Sequence, residues 1–375
     1  MPFARVNINP DVLMWAVDYS QKGLDAFQNK FPQFDNWLDQ SVRPTVKQLE
    51  DVSRFSYVPF GYLMLPEKPI LSVKPIKDFR AVNNAHPDAA EEYSPELLDT
   101  IIDIRGRQEW LSEYKKRQDY APVSFVGSIH TQMTDEAIVA KIKKTLNCRD
   151  NWREQIPNKD AALRYFVDMV ERTGVVVFIN SVVGNNSHRK LNVREFRGFA
   201  LADKYAPVIF INGADALAAR IFTLFHELVH IFLGQDGLDD RSEVFCNRIA
   251  ARFLVPEKLF NVEWVKSARD YESMEKFFKV SKLVLYRAAL TYGKISDAEY
   301  QRLVNLYEKN AKKIDMNSSG GNPYNFLPYR ASRSFCRYLR EAVNEGHATY
   351  TEAYQLLGVK KAKTFDFLIN EATEG

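Results

Sequence analysis

The sequence predicts an α+β protein in which a small antiparallel sheet packs on helices, with helical regions on both sides. Three runs rich in β-branched and aromatic residues occur at 174–183, 196–201 and 207–211, and turn residues separate them. Before and after these runs, apolar residues recur at intervals of three and four, which is the period of a buried helix face. A short series of strands among helices is typical of the α+β class.

Residues 1–68 are predicted to form a separate helical unit. Asn9 or Asn7 can cap the first helix because either side chain can accept hydrogen bonds from free N–H groups, and Pro10 suits the first turn. Thr45 can cap a later helix in the same way. The predicted helices span 10–19, 23–30, 33–40 and 46–55, and the prolines that mark the end of the unit are Pro59, Pro66 and Pro69.

Residues 69–256 are predicted to form the central domain, and 257–375 a helical C-terminal region. A Gly/Ser/Pro stretch, SSGGNP at 318–323, predicts a linker near 316–323. The elements expected around the three strands are helices at 94–113, 134–146, 160–173, 214–233 and 242–254, and a short strand at 124–129.

Composition excludes several classes of protein. At 375 residues the chain is too long for one compact core, so two or three domains are expected. With 51 basic and 48 acidic residues, the net charge of +3 argues against a nucleic-acid coat protein. The three cysteines are widely spaced and predict no disulfide framework. No apolar run approaches the roughly 20 residues of a membrane span. We therefore expect a soluble cytoplasmic protein with no membrane partner.

Residues 221–234 read IFTLFHELVHIFLG and contain the pattern H-E-x-x-H at His226, Glu227 and His230. Residues four apart lie on one face of a helix, so both imidazoles can reach one ion. Glu227 projects beside that ion, where it can accept a proton from a water molecule. Zinc held by two imidazoles and a carboxylate keeps an open position and lowers the pKa of a bound water from about 15.7 towards about 7.

The apolar surroundings of this pattern favour a metal site over a chance match in a core helix. Almost every neighbouring residue in the helix is apolar. Two histidines and a glutamate would be costly to bury there without a shared partner. The pattern therefore predicts a catalytic site for Zn²⁺.

Glu243 is the favoured third ligand because it lies thirteen residues after His230, at the start of the next helix. The intervening segment contains two glycines and is long enough to reverse the chain. An alternative is that Asp240 and Glu243 form a capping box, which has the same spacing. The other candidate ligands are Asp239, Asp240 and Cys246, although a cysteine in this context is more often a small buried residue.

The other histidines have simpler interpretations. His86, His130 and His347 lie in polar or loop-like segments and are expected at the surface. His188, in GNNSHRK, could assist a reaction intermediate, but a solvated turn is the favoured interpretation.

Three consecutive segments resemble the zinc metallopeptidases of the ImmA/IrrE type. Those proteins carry a strand ending in Asn, then F-T-x-x-H-E-x-x-H, then E-x-x-A-N-x-x-A-x-x-x-L-x-P. The segments here are RGFALADKYAPVIFING, ARIFTLFHELVHIFLG and SEVFCNRIAARFLVP. The residues that fall on the last pattern are Glu243, Asn247, Ala250, Leu254 and Pro256. Cys246 stands where the family usually has alanine.

The resemblance implies that His226, His230 and Glu243 bind zinc and that Glu227 is the general base. It also implies that the strand before the helix pairs with an extended substrate, as edge strands do. The residues of that predicted substrate-binding strand are Pro207, Val208, Ile209, Phe210, Ile211 and Asn212.

The chain also resembles the long bacterial and phage-associated members of this family, which begin with a phage-repressor-like (XRE) helix-turn-helix unit. The segment PTVKQLEDVSRFSYVPFGYLMLPE is similar to the last part of such a unit. Relatives of this type are encoded beside repressor-like partners in mobile elements and toxin–antitoxin loci, and some cleave those repressors. The resemblance therefore implies a repressor-like protein or an antitoxin as substrate.

Contact with DNA is predicted more readily at the C-terminal end than at the N-terminal end. Residues 1–68 hold seven basic and eight acidic residues, which provides no electrostatic drive towards phosphate and predicts a protein-interaction unit. In the C-terminal region, four arginines recur on one face of a predicted helix. They are Arg330, Arg333, Arg337 and Arg340. The alternative interpretation is a solvated basic face that pairs with nearby acids.

Together these patterns predict a zinc-dependent endopeptidase that cleaves an intracellular regulatory protein. The alternative is a regulatory or toxin–antitoxin component that retains the zinc-peptidase fold and acts by binding protein or DNA.

Overall fold

The computed structural model describes residues 5–69, 93–234, 240–314 and 330–374. These residues separate into two compact units. The first contains the described residues up to 102, and the second contains those from 103 onward. The boundaries predicted at 68 and 256 remain predictions, and the predicted linker near 316–323 lies outside the described residues. Within the described residues, no helix combines the length and the apolar character needed to cross a bilayer.

The first unit is helical, and its helices begin at the caps that the sequence indicates. The Asn9 side chain accepts a hydrogen bond from the backbone N–H of Asp11. Thr45 and Gln48 form a complete capping box, which satisfies two otherwise free N–H groups. The helices are α1 Pro10–Ser20, α2 Leu24–Lys30, α3 Phe34–Leu38, α4 Val46–Ser56 and α5 Phe60–Leu63, and α6 Pro95–Arg117 begins in this unit and continues into the second.

Aromatic side chains form much of the core of the first unit. Phe27 packs against Phe34 with ring centroids 5.3 Å apart and against Phe55 with centroids 5.0 Å apart. Trp37, only 2% exposed, lies at the end of this cluster. Helix α3 has only five residues, and both of its aromatic side chains are buried in this core. The helix therefore contributes mainly to the packing of the unit.

The second unit contains a small sheet surrounded by helices, so the predicted α+β class is confirmed. Its strands are β1 Val176–Asn180, β2 Val182–Val183, β3 Asn186–Lys190, β4 Gly198–Leu201 and β5 Val208–Asn212. The first five helices that follow α6 are α7 Asp135–Thr145, α8 Trp152–Gln155, α9 Lys159–Glu171, α10 Leu217–Leu233 and α11 Asp240–Leu254. The remaining helices are α12 Glu257–Lys266, α13 Tyr271–Phe278, α14 Lys282–Thr291, α15 Asp297–Ile314, α16 Arg333–Asn344, α17 Tyr350–Leu357 and α18 Ala362–Glu374.

The three-stranded sheet has the order β1-β5-β4 and is mixed. β5 pairs with β4 in the antiparallel direction, but it pairs with β1 in parallel, with Val176 opposite Val208. The prediction of a wholly antiparallel sheet is therefore wrong for β1. The chain leaves β1 and forms a hairpin and β4 before it reaches β5. It therefore enters β5 in the direction of β1, as a crossover connection allows.

Two local predictions are also wrong. Residues 186–190, expected as a solvated turn, form β3, which pairs with β2 across a turn at Gly184 and Asn185. Residues 124–129, expected as a short strand, form turns instead. Both errors involve short segments. Pairing with β2 makes 186–190 a strand, whereas Gly127 and Ile129 instead donate hydrogen bonds to the end of α10.

Helix α10 occupies the centre of the second unit. Its Phe225 packs against Phe166 of α9, with centroids 4.8 Å apart, and against Phe253 of α11, with centroids 4.3 Å apart. Apart from the terminal Leu233 and residues near the N-terminus, its side chains are buried. The apolar sequence of this helix is thus explained by contacts on several sides.

The carboxyl end of α10 is held by the turn that contains Gly127. The N–H of Gly127 donates to the carbonyl of Ile231 at 3.3 Å, and the N–H of Ile129 donates to Phe232 at 3.2 Å. Gly234 ends the helix with φ +70°, and a Cβ at this position would lie 2.7 Å from the Gly127 Cα. Two glycines are therefore needed for this close approach.

The helices after residue 330 dock onto α9 and β1 through a buried carboxyl group. Glu171 accepts hydrogen bonds from the hydroxyl groups of Ser332, at 2.5 Å, and Ser334, at 2.9 Å. Burial raises the pKa of Glu171 above its ordinary value, and these hydrogen bonds partly oppose that shift. The Phe335 ring packs on Phe178 of β1 with centroids 5.6 Å apart.

Gly234→Ala is expected to destabilise the protein by more than about 1 kcal/mol, because alanine is strained at this φ and its Cβ would clash with Gly127. Gly106→Ala is the matched control. Gly106 lies within α6 with open space around it, so alanine there is expected to raise the free energy of unfolding by up to about 1 kcal/mol. Urea denaturation followed by circular dichroism measures both changes. Equal midpoints for Gly234→Ala and the wild type would contradict the close approach described here.

Candidate metal centre

The H-E-x-x-H pattern lies in the middle of α10. His226 and His230 are one helical turn apart, so their rings project from the same face. They are 0% and 3% exposed, and Glu227 is 2% exposed. Helix α10 is otherwise largely apolar, yet these three buried side chains are polar.

Glu243, in the first part of α11, joins the two histidines. Its Oε1 atom lies 2.9 Å from His226 Nε2 and 3.3 Å from His230 Nε2. The two Nε2 atoms are 3.0 Å apart. The structure therefore brings together His226, His230 and Glu243, the three residues predicted to be metal ligands.

The chemistry of this donor set fits a zinc ion. Two Nε2 atoms face each other, yet a neutral imidazole with its proton on Nδ1 offers Nε2 only as an acceptor. The carboxylate oxygen beside them is an acceptor as well, so three lone pairs converge on one point. A cation shared among them would satisfy all three, and two imidazoles with one carboxylate form a common zinc ligand set in catalytic sites.

The carboxyl group of Glu243 is held in its charged form. Burial acts to raise the pKa of Glu243, but its interactions with the imidazoles of His226 and His230 outweigh burial, so the pKa lies well below its ordinary value. Asn247, one turn further along α11, places its Nδ2 atom 3.5 Å from Glu243 Oε2. A charged carboxylate is the form that binds a metal ion.

Cys246 supports His230 from the side opposite the cluster. Its Sγ atom lies 3.7 Å from His230 Nδ1, whereas Nε2 of the same ring points to Glu243. A proton on Nδ1 directed at the sulfur leaves Nε2 free to bind a metal, which is the usual role of an outer partner. Cys246, an alternative ligand in the sequence, is therefore a neighbour of the cluster. Asp239 and the side chain of Asp240 lie outside the described residues.

Gly198, a residue that the sequence analysis did not single out, leaves space for Glu227. A Cβ at Gly198 would lie 3.3 Å from Glu227 Oε1, 2.5 Å from Thr223 Cγ2 and 2.8 Å from the carbonyl oxygen of Phe210. Strand β4 thus passes directly over the helix at the general-base candidate. An isolated glycine in a strand pattern is a signal of such an approach and could have identified this position.

The predicted substrate-binding strand, Pro207–Asn212, is not an edge strand. β5 lies between β1 and β4, so its backbone is paired on both sides. The Asn212 side chain is also engaged internally, since its amide donates to the carbonyl of Phe196 at 3.1 Å and its oxygen accepts from the N–H of Ala214 at 3.0 Å. Because no free backbone edge remains, the prediction that this strand pairs with substrate is wrong.

The four C-terminal arginines do not share one environment. Arg333 lies 3.9 Å from Asp168 of α9, and Arg330 is half-buried. Arg337 and Arg340 are exposed. DNA contact through these arginines remains a prediction, and the structure leaves only two of them fully available at the surface.

The other described histidines lie at the surface. His130, His188 and His347 are exposed, and His188 lies in β3 rather than in a turn. His86 lies outside the described residues. None of these three exposed rings belongs to the cluster on α10 and α11.

Helix α11 is anchored at its carboxyl end, as α10 is. The buried guanidinium of Arg153 donates to the carbonyl of Leu254 at 2.6 Å, and the Tyr292 hydroxyl donates to the carbonyl of Val255 at 2.7 Å. Burial lowers the pKa of Arg153 to about 10, which keeps it charged at neutral pH. These contacts hold the helix that carries Glu243 in position.

Comparison with known families agrees with this geometry. Residues 170–289 match the family model described as the IrrE N-terminal-like domain, Peptidase_M78. Residues 331–371 match DUF8813, a domain of unknown function. No curated protein and no solved structure matches the chain. The first match contains the whole cluster and Glu227, and it supports a domain of the metallopeptidase type.

Cys246→Ala is expected to weaken zinc binding about tenfold or more, because it removes the partner of His230 Nδ1. Cys336→Ala is the matched control, since Cys336 is equally buried but lies in α16. Competition with a chelating zinc indicator gives both affinities. Glu243→Ala should abolish tight binding in the same assay. An unchanged affinity in Cys246→Ala would show that the sulfur does not support His230.

Proposed function

We propose that this chain is a zinc-dependent endopeptidase that cleaves an intracellular regulatory protein. The observation that carries the proposal is the convergence of His226 Nε2, His230 Nε2 and Glu243 Oε1 within 3.3 Å, with Glu227 adjacent on the same helix. The match of residues 170–289 to the Peptidase_M78 model supports it.

Each residue of the proposed site has a separate role in the reaction. His226, His230 and Glu243 would hold the zinc ion, which when bound polarises a peptide carbonyl and makes water more acidic. Glu227 accepts the proton of the attacking water and then donates it to the leaving amine. Because Glu227 is almost fully buried, it acts where electrostatic interactions are strong and bulk water is excluded.

We infer that β4, rather than β5, is the strand that aligns an extended substrate. β4 has β5 as its neighbour on one side only, and its Gly198 lies beside Glu227. The N–H of Asn212 donates to the carbonyl of Arg197. In an antiparallel pair this directs the backbone groups of Gly198 and Ala200 away from β5. All four β4 residues are buried, so a substrate that pairs here must displace the atoms now packed over this edge.

The proposed substrate class is a repressor-like protein or an antitoxin. The resemblance to ImmA/IrrE-type peptidases supports this class, since such proteins are encoded beside repressor-like partners. It also supports a mobile-element or toxin–antitoxin context for the gene. The helical first unit would then serve to bind a protein partner.

Glu227→Gln is expected to retain zinc and lose cleavage, because the amide keeps the shape of the side chain but cannot accept the proton. A fall of about 10²-fold or more in rate is expected. The measurement compares zinc-loaded wild type and variant with the product of the adjacent gene as substrate, and it quantifies new protein N-termini by mass spectrometry. Zinc content, measured by elemental analysis, is the control for an intact site.

Cleavage at the same rate by the variant would contradict the role of Glu227. A zinc-loaded wild type that generates no new N-terminus, while it still binds the adjacent gene product, would favour a regulatory component that acts by association.

A further inference from the structure

A cavity of about 310 Å³ lies in the second unit, away from the metal-ligand cluster. The loop between α17 and α18 forms one wall with Gly358, Lys360 and Lys361, and the turn between β2 and β3 forms another. Arg107 of α6 and Arg330 complete the lining. Much of the lining therefore belongs to residues 331–371, the segment that matches a domain of unknown function.

The cavity is strongly basic. Four of its lining side chains are cations, and none of the described residues that line it is an aspartate or a glutamate. Only one of the four is neutralised within the described residues, since Arg107 forms an ion pair with Asp103 at 2.8 Å. Three positively charged residues, Arg330, Lys360 and Lys361, thus line a concave space and have no partner of opposite charge in the described part of the chain.

Among these three cations Arg330 is the most buried, so a negative partner would stabilise it most. Its side chain is half-buried, and its Nε atom is fully buried without a hydrogen-bond acceptor among the described residues. Burial without a compensating charge lowers the pKa of Arg330. A buried donor on a cation is costly to leave unsatisfied, so an anion in the cavity would be stabilised by it.

The walls of the cavity are fixed before any ligand binds. The Asn185 side-chain amide donates to the carbonyls of Leu357, at 3.3 Å, and Gly358, at 2.8 Å. Gly358 has φ +64°, and a Cβ there would lie 3.1 Å from Asn185 Nδ2. The hairpin turn and the loop before α18 are therefore tied together, which limits the cost of ordering them around a ligand.

We propose that this cavity binds a small molecule that carries two or more phosphate groups. Three unpaired cations need more negative charge than one carboxylate supplies, and lysine and arginine are the usual phosphate-binding residues. The volume lies near the lower end of the range for small-molecule sites. A concave site of this volume suits a compact ligand better than the continuous backbone of a nucleic acid.

Inorganic pyrophosphate is the probe that tests this site. Isothermal titration calorimetry with the full-length protein should show saturable binding to one site per chain. Arg330→Gln and Lys361→Gln should each weaken that binding by about tenfold, because each removes one charge-assisted interaction. Arg340→Gln is the matched control, since it removes the same charge from an exposed position on α16. Its affinity should stay within about twofold of the wild type.

Absence of pyrophosphate binding to the wild type would overturn the proposal. Equal weakening in Arg340→Gln would also overturn it, because the interaction would then depend on overall charge. A titration with a short DNA duplex distinguishes binding of a small phosphate compound from binding of a nucleic-acid backbone. If the duplex binds more tightly than pyrophosphate and Arg340→Gln weakens it as much as Arg330→Gln, the basic residues form a nucleic-acid surface instead.

Discussion

The structure of the second unit depends on placing two imidazoles and a carboxylate inside an apolar core. His226, His230 and Glu243 are held within 3.3 Å of one another by helices whose other contacts are largely between apolar side chains. Such groups are expensive to bury unless they share a partner. A divalent cation would suit three converging lone pairs, and the cluster itself requires α10 and α11 to pack closely and with a fixed register.

The surrounding fold removes freedom from both helices that carry the cluster. The turn at Gly127 and Ile129 caps α10, while Arg153 and Tyr292 hold the end of α11. Cys246 orients the ring of His230 from behind. On the other side of α10, the missing side chain of Gly198 lets β4 approach Glu227. The carbonyl groups at the carboxyl ends of α10 and α11 thus accept hydrogen bonds from other parts of the unit. These contacts hold the cluster in one arrangement.

The features that sequence could predict are those with a local physical signal. The spacing of His226 and His230, the caps at Asn9 and Thr45 and the period of α9 to α11 depend on neighbours within a few residues. Strand order and direction depend on pairings between distant segments, so the central position of β5 and its parallel pairing with β1 were not predictable from the runs alone. The arginines at 330–340 share a helical period, but Arg333 lies near Asp168 of α9 and Arg330 lines the C-terminal cavity, so they do not share one environment.

The central claim is that the cluster on α10 and α11 is a zinc site, and a crystal structure of the zinc-loaded protein tests it most directly. Diffraction data collected on both sides of the zinc absorption edge should give one strong anomalous peak per chain, within about 2.0–2.2 Å of His226 Nε2, His230 Nε2 and a Glu243 carboxylate oxygen. Glu227 should lie beside the ion without binding it. A zinc-loaded crystal with the peak elsewhere, or with Glu227 in place of Glu243 as the ligand, would contradict the account.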